Sequence, residues 1–266
     1  MKQALTYISF MDILFILFLA LSGMFGGAFY YLAFLVPFAV AFFLKDKVKT
    51  DFPKIKISKE NLLLTLPTIA PTLALIFLIS LLTSLLLSFA GEGTAPDVSG
   101  NLILVILRYA VVTVLLEEAL FRYIPLAFLA PYTRRGAIII SSILFALSHC
   151  NLYQIPYAFF AGVIFAALDV AFESILPSVT IHFLNNLLSV IWLRNGESIN
   201  FEATYVSILV ASAVLSLIFL IIFRKKYKEK ILPVIADKSK YELSYGVVIF
   251  AVMTLIIAIT NIIGGI

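Results

Sequence analysis

The chain alternates long apolar runs with short polar ones, and the run lengths carry the first inference. A helix that crosses a bilayer needs about 20 mostly apolar residues. Such runs recur near 6–22, 24–44, 62–89, 101–124, 136–152, 156–172, 175–194, 203–223 and 243–263. They predict eight or nine spans, because the first two share the short Ser22–Gly27 break and can form one kinked hairpin. Gly23 and Gly27 have the small-x-x-x-small spacing of helix-packing motifs, but at that junction a turn is expected. The fold class read from this pattern is all-α, a polytopic integral membrane protein of about 8–9 transmembrane helices. We read 1–266 as a single integral membrane domain. The first run is long, lacks an A-x-A-like cleavage site and is preceded by little basic charge beyond Lys2. A removed signal peptide is therefore not expected, and the chain is expected to be used whole.

Composition agrees: 62% of residues are hydrophobic and 13% charged, with a mean hydropathy of +1.10. No soluble domain of 266 residues has this balance. The basic residues are grouped. Lys45, Lys47, Lys49, Lys54, Lys56 and Lys59 fall in one loop and Arg134 and Arg135 in a second. Arg224, Lys225, Lys226, Lys228, Lys230, Lys238 and Lys240 fall in a third. An even number of predicted spans separates successive basic loops, so all three lie on one side. Short cytoplasmic loops are rich in Lys and Arg, which makes that side, and the N-terminus, cytoplasmic. With nine spans the C-terminus is outside. The Gly91–Gly100 loop holds Glu92 and Asp97 and no base, as an outside loop should. The net charge of +4 calls for no nucleic-acid partner; anionic lipid heads at the basic loops account for it. Cys150 is the single cysteine, so no internal disulfide forms. We read it as a small packing residue, since it points roughly 100° away from His149 on a helix.

Candidate chemistry lies in polar residues set inside apolar runs, where a charge costs roughly 2.5–3.5 kcal/mol on insertion scales. In Glu117-Glu118-Ala119-Leu120-Phe121-Arg122, Glu118 and Arg122 are four apart, acid first, the favourable order for an ion pair. Glu117 points elsewhere and is left for acid–base work. In Phe145-x-x-x-His149 a histidine lies in an apolar run. Glu117 and His149 lie sixteen residues before and after Thr133, so an antiparallel hairpin turning there sets them at one depth. In His182-x-x-x-Asn186 a His and an amide share one helix face, as donors for an oxyanion could. Taken singly, each motif is also open to a structural reading as an ion pair or a helix–helix hydrogen bond.

The order Glu-Glu-x-x-x-Arg, Phe-x-x-x-His, His-x-x-x-Asn, each in an apolar span, resembles the CPBP family of CAAX proteases and bacteriocin-processing enzymes, which includes the Ras-converting CAAX endopeptidase. The resemblance covers roughly 101–195, read as the catalytic core. It implies an intramembrane endopeptidase of about eight helices, with a polar cavity open to the cytosol and the inner leaflet. Its substrate is expected to be a lipidated or membrane-inserted protein or peptide. On this resemblance Glu117 and His149 activate the attacking water and His182 and Asn186 stabilise the tetrahedral oxyanion. Glu118, Arg122 and Phe145 support them. No cofactor is expected.

Other readings stay open. Glu117, His149 and His182 are a possible zinc set, although His-Glu-x-x-His is absent. A transporter or bacteriocin-immunity protein is the reading from a different class, though the inverted repeats common in transporters are not visible. One tension concerns depth: sixteen helical residues span about 24 Å, so a cytosol-facing site needs part of Tyr123–Thr133 to lie along the interface. Pro125 and Pro131 make a break there plausible, and Pro177 is placed to start the helix carrying His182. Asp12, Arg108, Asp169 and Glu173 fall near predicted span ends, where snorkelling or loop exposure accounts for them.

Overall fold

The structure, a computed structural model, describes residues 1–56, 58–88, 96–195, 199–241 and 244–263. Among these it is all-helical, with only an isolated bridge between Lys54 and Ser174 outside the helices. Ten helices follow in order: α1 Lys2–Phe25, α2 Gly27–Leu44, α3 Lys59–Leu86, α4 102–129, α5 Arg134–Ser148, α6 Ile155–Phe172, α7 Leu176–Asn195, α8 Ile199–Ile222, α9 Arg224–Ile235 and α10 Tyr245–Ile263. Six of them, α1, α2, α3, α6, α7 and α8, are long and apolar enough to cross a membrane. The chain is a polytopic membrane protein. Of the remaining predicted spans, 101–124 corresponds to α4, which carries four charges along its length. The 136–152 span corresponds to α5, whose 15 residues cover about 22 Å.

α1 and α2 are separate helices. Gly26 lies between them at φ 96° and ψ −178°, a conformation in which a side chain would be strained. The two helices pack together through edge-on phenylalanines, Phe15 against Phe34 with ring centres 5.2 Å apart. Phe121 of α4 closes on Phe15 at 4.9 Å. These rings belong to a large apolar cluster drawn from α1, α2, α4, α5, α6 and α10. A second, smaller cluster joins α3, α6, α7 and α9 around Phe165 and Ile181. The polar residues of the three motifs lie on the seam between the two clusters.

Two features differ from the expectation. The third basic segment, read as a loop, contains helix α9. Alternation of Arg224, Lys225 and Lys228 with Tyr227, Ile231 and Val234 puts one apolar face inward, where Tyr227 is buried and its hydroxyl donates to the Leu64 carbonyl. α4 is likewise unbroken at Pro125. Two π turns, at Leu107–Val112 and Ala119–Tyr123, are set into it. In the second, Ile124 N–H reaches back five residues to Ala119 O. The wider turn lets the helix continue through proline, which has no N–H to give. Residues Ile124 to Leu129 are all buried inside the protein instead of lying along an interface. The chain turns only at 130–132, and Thr133 caps α5 by accepting from Gly136 N–H at 3.0 Å.

The basic segments meet at one end of the bundle. Lys49 N–H donates to the Tyr132 hydroxyl at 3.0 Å, and Asp51 N–H to Ala127 O at 2.9 Å. Asp237 accepts from the backbone N–H of Arg134 at 2.7 Å and of Arg135 at 3.3 Å. Lys54 O accepts from Ile175 N–H just before α7. At the other end of α7, Arg194 donates to the carbonyls of Val98 and Gly100. Glu92, expected in an outside loop, lies outside the described residues.

Candidate active site

The site is built from α4, α5, α6 and α7. The two π turns of α4 bracket Thr113–Glu118, and this short α-helical piece presents both carboxylates. Glu118 is 1% exposed and Arg122 0%. Arg122 Nε donates to Glu118 Oε2 at 3.4 Å, the i, i+4 pair that the spacing predicts. The guanidinium also donates through Nη1 to Ser141 Oγ at 2.7 Å and to Gly162 O at 3.1 Å. A charge buried this deeply is tolerated only with such partners.

His182 stands between the two carboxylates. Its Nδ1 lies 2.8 Å from Glu118 Oε1 and its Nε2 3.5 Å from Glu117 Oε2. Glu117 keeps 14% of its side-chain surface open where Glu118 keeps 2%. Glu118 is thus held by two close partners and Glu117 by one longer contact among the described residues.

Phe145 organises the two histidines. Its ring meets His149 edge-on at 5.0 Å and His182 edge-on at 5.3 Å. The Arg122 guanidinium carbon sits 5.0 Å from the same ring. His149 is the C-cap residue of α5, with Nδ1 2.9 Å from the Phe145 carbonyl. A carbonyl can only accept, so Nδ1 carries the proton there, and in the neutral ring Nε2 is the nitrogen with the lone pair. The next residue, Cys150, is buried at φ 48°. Among the described residues, His149 makes no ion pair with Glu117; the two are linked through Phe145 and His182.

Asn186 lies one turn beyond His182 on α7, half-buried. Its Nδ2 donates to Tyr109 O at 3.0 Å, within the first π turn, and its Oδ1 accepts from Asn185 Nδ2 at 3.2 Å. One of its two amide hydrogens is thereby committed and the other is available.

Several contributors were not singled out from the sequence. Ser141 falls four and eight residues before Phe145 and His149, on one stripe of α5, so the same spacing argument reaches it. On α6, Gly162, Phe165 and Asp169 share a face at i, i+3, i+7. A Cβ at Gly162 would lie 3.2 Å from the Ser142 backbone, so the close approach of α5 and α6 depends on its absence. Phe165 contacts the His182 ring at 5.9 Å. Two carboxylates assigned to snorkelling are in fact internal: Asp12 is 3% exposed and Asp169 1%. Their apolar neighbours hide the fact in a linear reading. Glu173 is exposed, and Arg108 is exposed with its guanidinium 5.1 Å from the Tyr109 ring.

Among the described residues no three His, Cys, Asp or Glu side chains form a group able to hold a metal ion. Of the residues weighed as a zinc set, His182 faces Glu118 with Nδ1 and Glu117 with Nε2, and His149 lies across the Phe145 ring.

Residues 99–188 match the family model described as type II CAAX prenyl endopeptidase Rce1-like. The match starts just before α4 and ends within α7, and all three motifs fall inside it. No curated protein and no solved structure matches the chain. Over this segment, about a third of the chain, the protein is similar to the type II CAAX prenyl endopeptidases, the family that the three motifs resemble.

Proposed function

We propose that this chain hydrolyses a peptide bond near the C-terminus of a prenylated or otherwise lipidated protein or peptide, by a water molecule activated on protein side chains. The catalytic core is the segment 101–195. The observation that carries this reading is the placement of His182 between a locked and a partly free carboxylate, 2.8 Å from Glu118 and 3.5 Å from Glu117.

In this reading Glu117 takes a proton from the attacking water, and the bare Nε2 of His149 orients or shares it. His182 with both nitrogens protonated donates Nδ1–H to Glu118 and turns Nε2–H toward the oxyanion of the tetrahedral intermediate. The uncommitted amide hydrogen of Asn186 is the second donor. Glu118, Arg122 and Phe145 hold the imidazole in place. Such donors are each worth about 2.7–4 kcal/mol in the transition state. The mechanism in this reading is glutamic.

α7 supports an opening toward the basic end. His182 is six residues from Leu176, about 9 Å at the helical rise, and Lys54 and Lys56 bond to the chain at Ser174 and Ile175. We assign that end, with the N-terminus, to the cytoplasm of a cell membrane, with anionic lipid heads at the exposed lysines of α9 and the adjoining loops.

The test is cleavage of an internally quenched peptide ending in a farnesylated CAAX sequence by protein purified in detergent. Turnover should disappear in Glu117→Ala and fall 10²–10³-fold in Asn186→Ala. Equal cleavage by Glu117→Ala would refute the glutamic reading.

A further inference from the structure

Asp169 is a buried carboxyl group that none of the three motifs contains. It lies on α6 seven residues after Gly162, so both are on one face of the helix with Phe165 between them. That face looks onto Arg122 and His182: Gly162 O accepts from Arg122 Nη1, and Phe165 lies against both Arg122 and His182. Asp169 continues the stripe by one turn. Its Oδ1 accepts from Ser178 N–H at 3.1 Å, in the first turn of α7. Its Oδ2 has no partner among the described residues, and neither has Arg122 Nη2. Asp169 is within electrostatic reach of both Arg122 and Glu118.

Ser178 and His182 are four apart on α7, so the residue that Asp169 grips is one turn below the imidazole. The grip fixes the rotation of α7 about its axis. A turn of about 10° would carry a group near the helix surface by about 1 Å, a misplacement that can cost 10²-fold in rate.

We propose that Asp169 is a positioning residue for His182, acting from α6 as an acceptor for the first turn of α7. This rests on the protease reading, and the test separates the two. Asp169→Asn keeps an acceptor for Ser178 N–H, whereas Asp169→Ala removes it. Each is compared with wild type on the farnesylated CAAX peptide, with kcat normalised to folded protein, and by hydrogen exchange of the amides at 176–182.

The expected result is a kcat within about twofold of wild type in the Asn variant and lowered about 10- to 100-fold in the Ala variant, with KM within about twofold in both. Exchange at 176–182 should rise in the Ala variant and stay near wild type in the Asn variant. A kcat more than about tenfold below wild type in Asp169→Asn overturns the proposal even if the Ala variant does not fold. So does unchanged exchange at 176–182 in Asp169→Ala. If the wild-type protein does not cleave the peptide, the protease reading fails on that substrate, and the exchange measurement still decides whether Asp169 holds α7.

Discussion

His182 Nδ1 stands 2.8 Å from Glu118 Oε1, and this contact makes Glu118 the more firmly held of two adjacent carboxylates. Glu118 is held from two sides, by the imidazole and by Arg122 at 3.4 Å. Glu117 is held only by the longer contact to Nε2 at 3.5 Å. The two glutamates should therefore respond oppositely. Glu118→Gln removes the charge on which two buried donors converge, and charged hydrogen bonds of this kind contribute about 1.5–3 kcal/mol. Thermal unfolding in detergent should show a clear drop in Tm for Glu118→Gln and little change for Glu117→Gln, with turnover in the reverse order. The same Tm loss in both variants would contradict the division.

Arg122 is the largest fully buried side chain. Arg122→Met keeps its length but leaves Glu118 without its guanidinium. Breaking one side of a buried pair costs about 3–5 kcal/mol, enough to lower the yield of folded protein severely. Pairing it with Glu118→Gln should recover part of the loss, because the double variant leaves no bare charge inside. Measured folded fractions that are no better in the double variant would argue that Arg122 acts through its packing on Phe145 and Phe165 alone.

At Gly162, α5 and α6 approach closely. An alanine methyl would meet Ser142 Cα and Cβ at 3.2 Å, and backbone cannot swing aside as a flexible side chain does. We expect Gly162→Ala to cost about 1–3 kcal/mol, typical of an overpacked interior. It should also weaken the Arg122 bond to the Gly162 carbonyl, so activity should fall along with Tm. An unchanged Tm would mean that the helices separate without loss.

Asp237 ties the segment after α9 to the start of α5. The hydroxyl and backbone N–H of Ser239, then the backbone N–H groups of Arg135 and Arg134, bring its carboxyl down from 3.8 to about 2. A carboxyl depressed by folding stabilises the folded state above its unfolded pKa, and that contribution is lost as pH falls through the folded value. The Tm difference between wild type and Asp237→Asn should be constant from pH 7 down to about 5 and shrink toward pH 2. A difference that grows on acidification would show that the carboxylate is not the group holding this junction.

Run length and composition alone determined the solvent of this protein. Twenty-residue apolar stretches have no stable place but a bilayer, and the backbone must then satisfy itself within helices. Spacing in the sequence also determined the local pairs. Residues four apart meet on any α-helix, so Glu118 with Arg122 and Phe145 with His149 were legible before any fold was known. Only the tertiary structure decided what happens between helices. His182 lies between the two glutamates because α7 is pinned beside α4, with Asn186 bonded to the Tyr109 carbonyl, and is held to α6 by Asp169 at Ser178. Pro125, which spacing rules treat as a breaker, sits in an unbroken helix because a π turn absorbs the missing N–H. α9 looked like a loop because its lysines dominate the composition, while a buried tyrosine and valine fix its orientation. Asp12 and Asp169 looked like residues at span ends; which carboxylates are internal depends on neighbours that are distant in sequence.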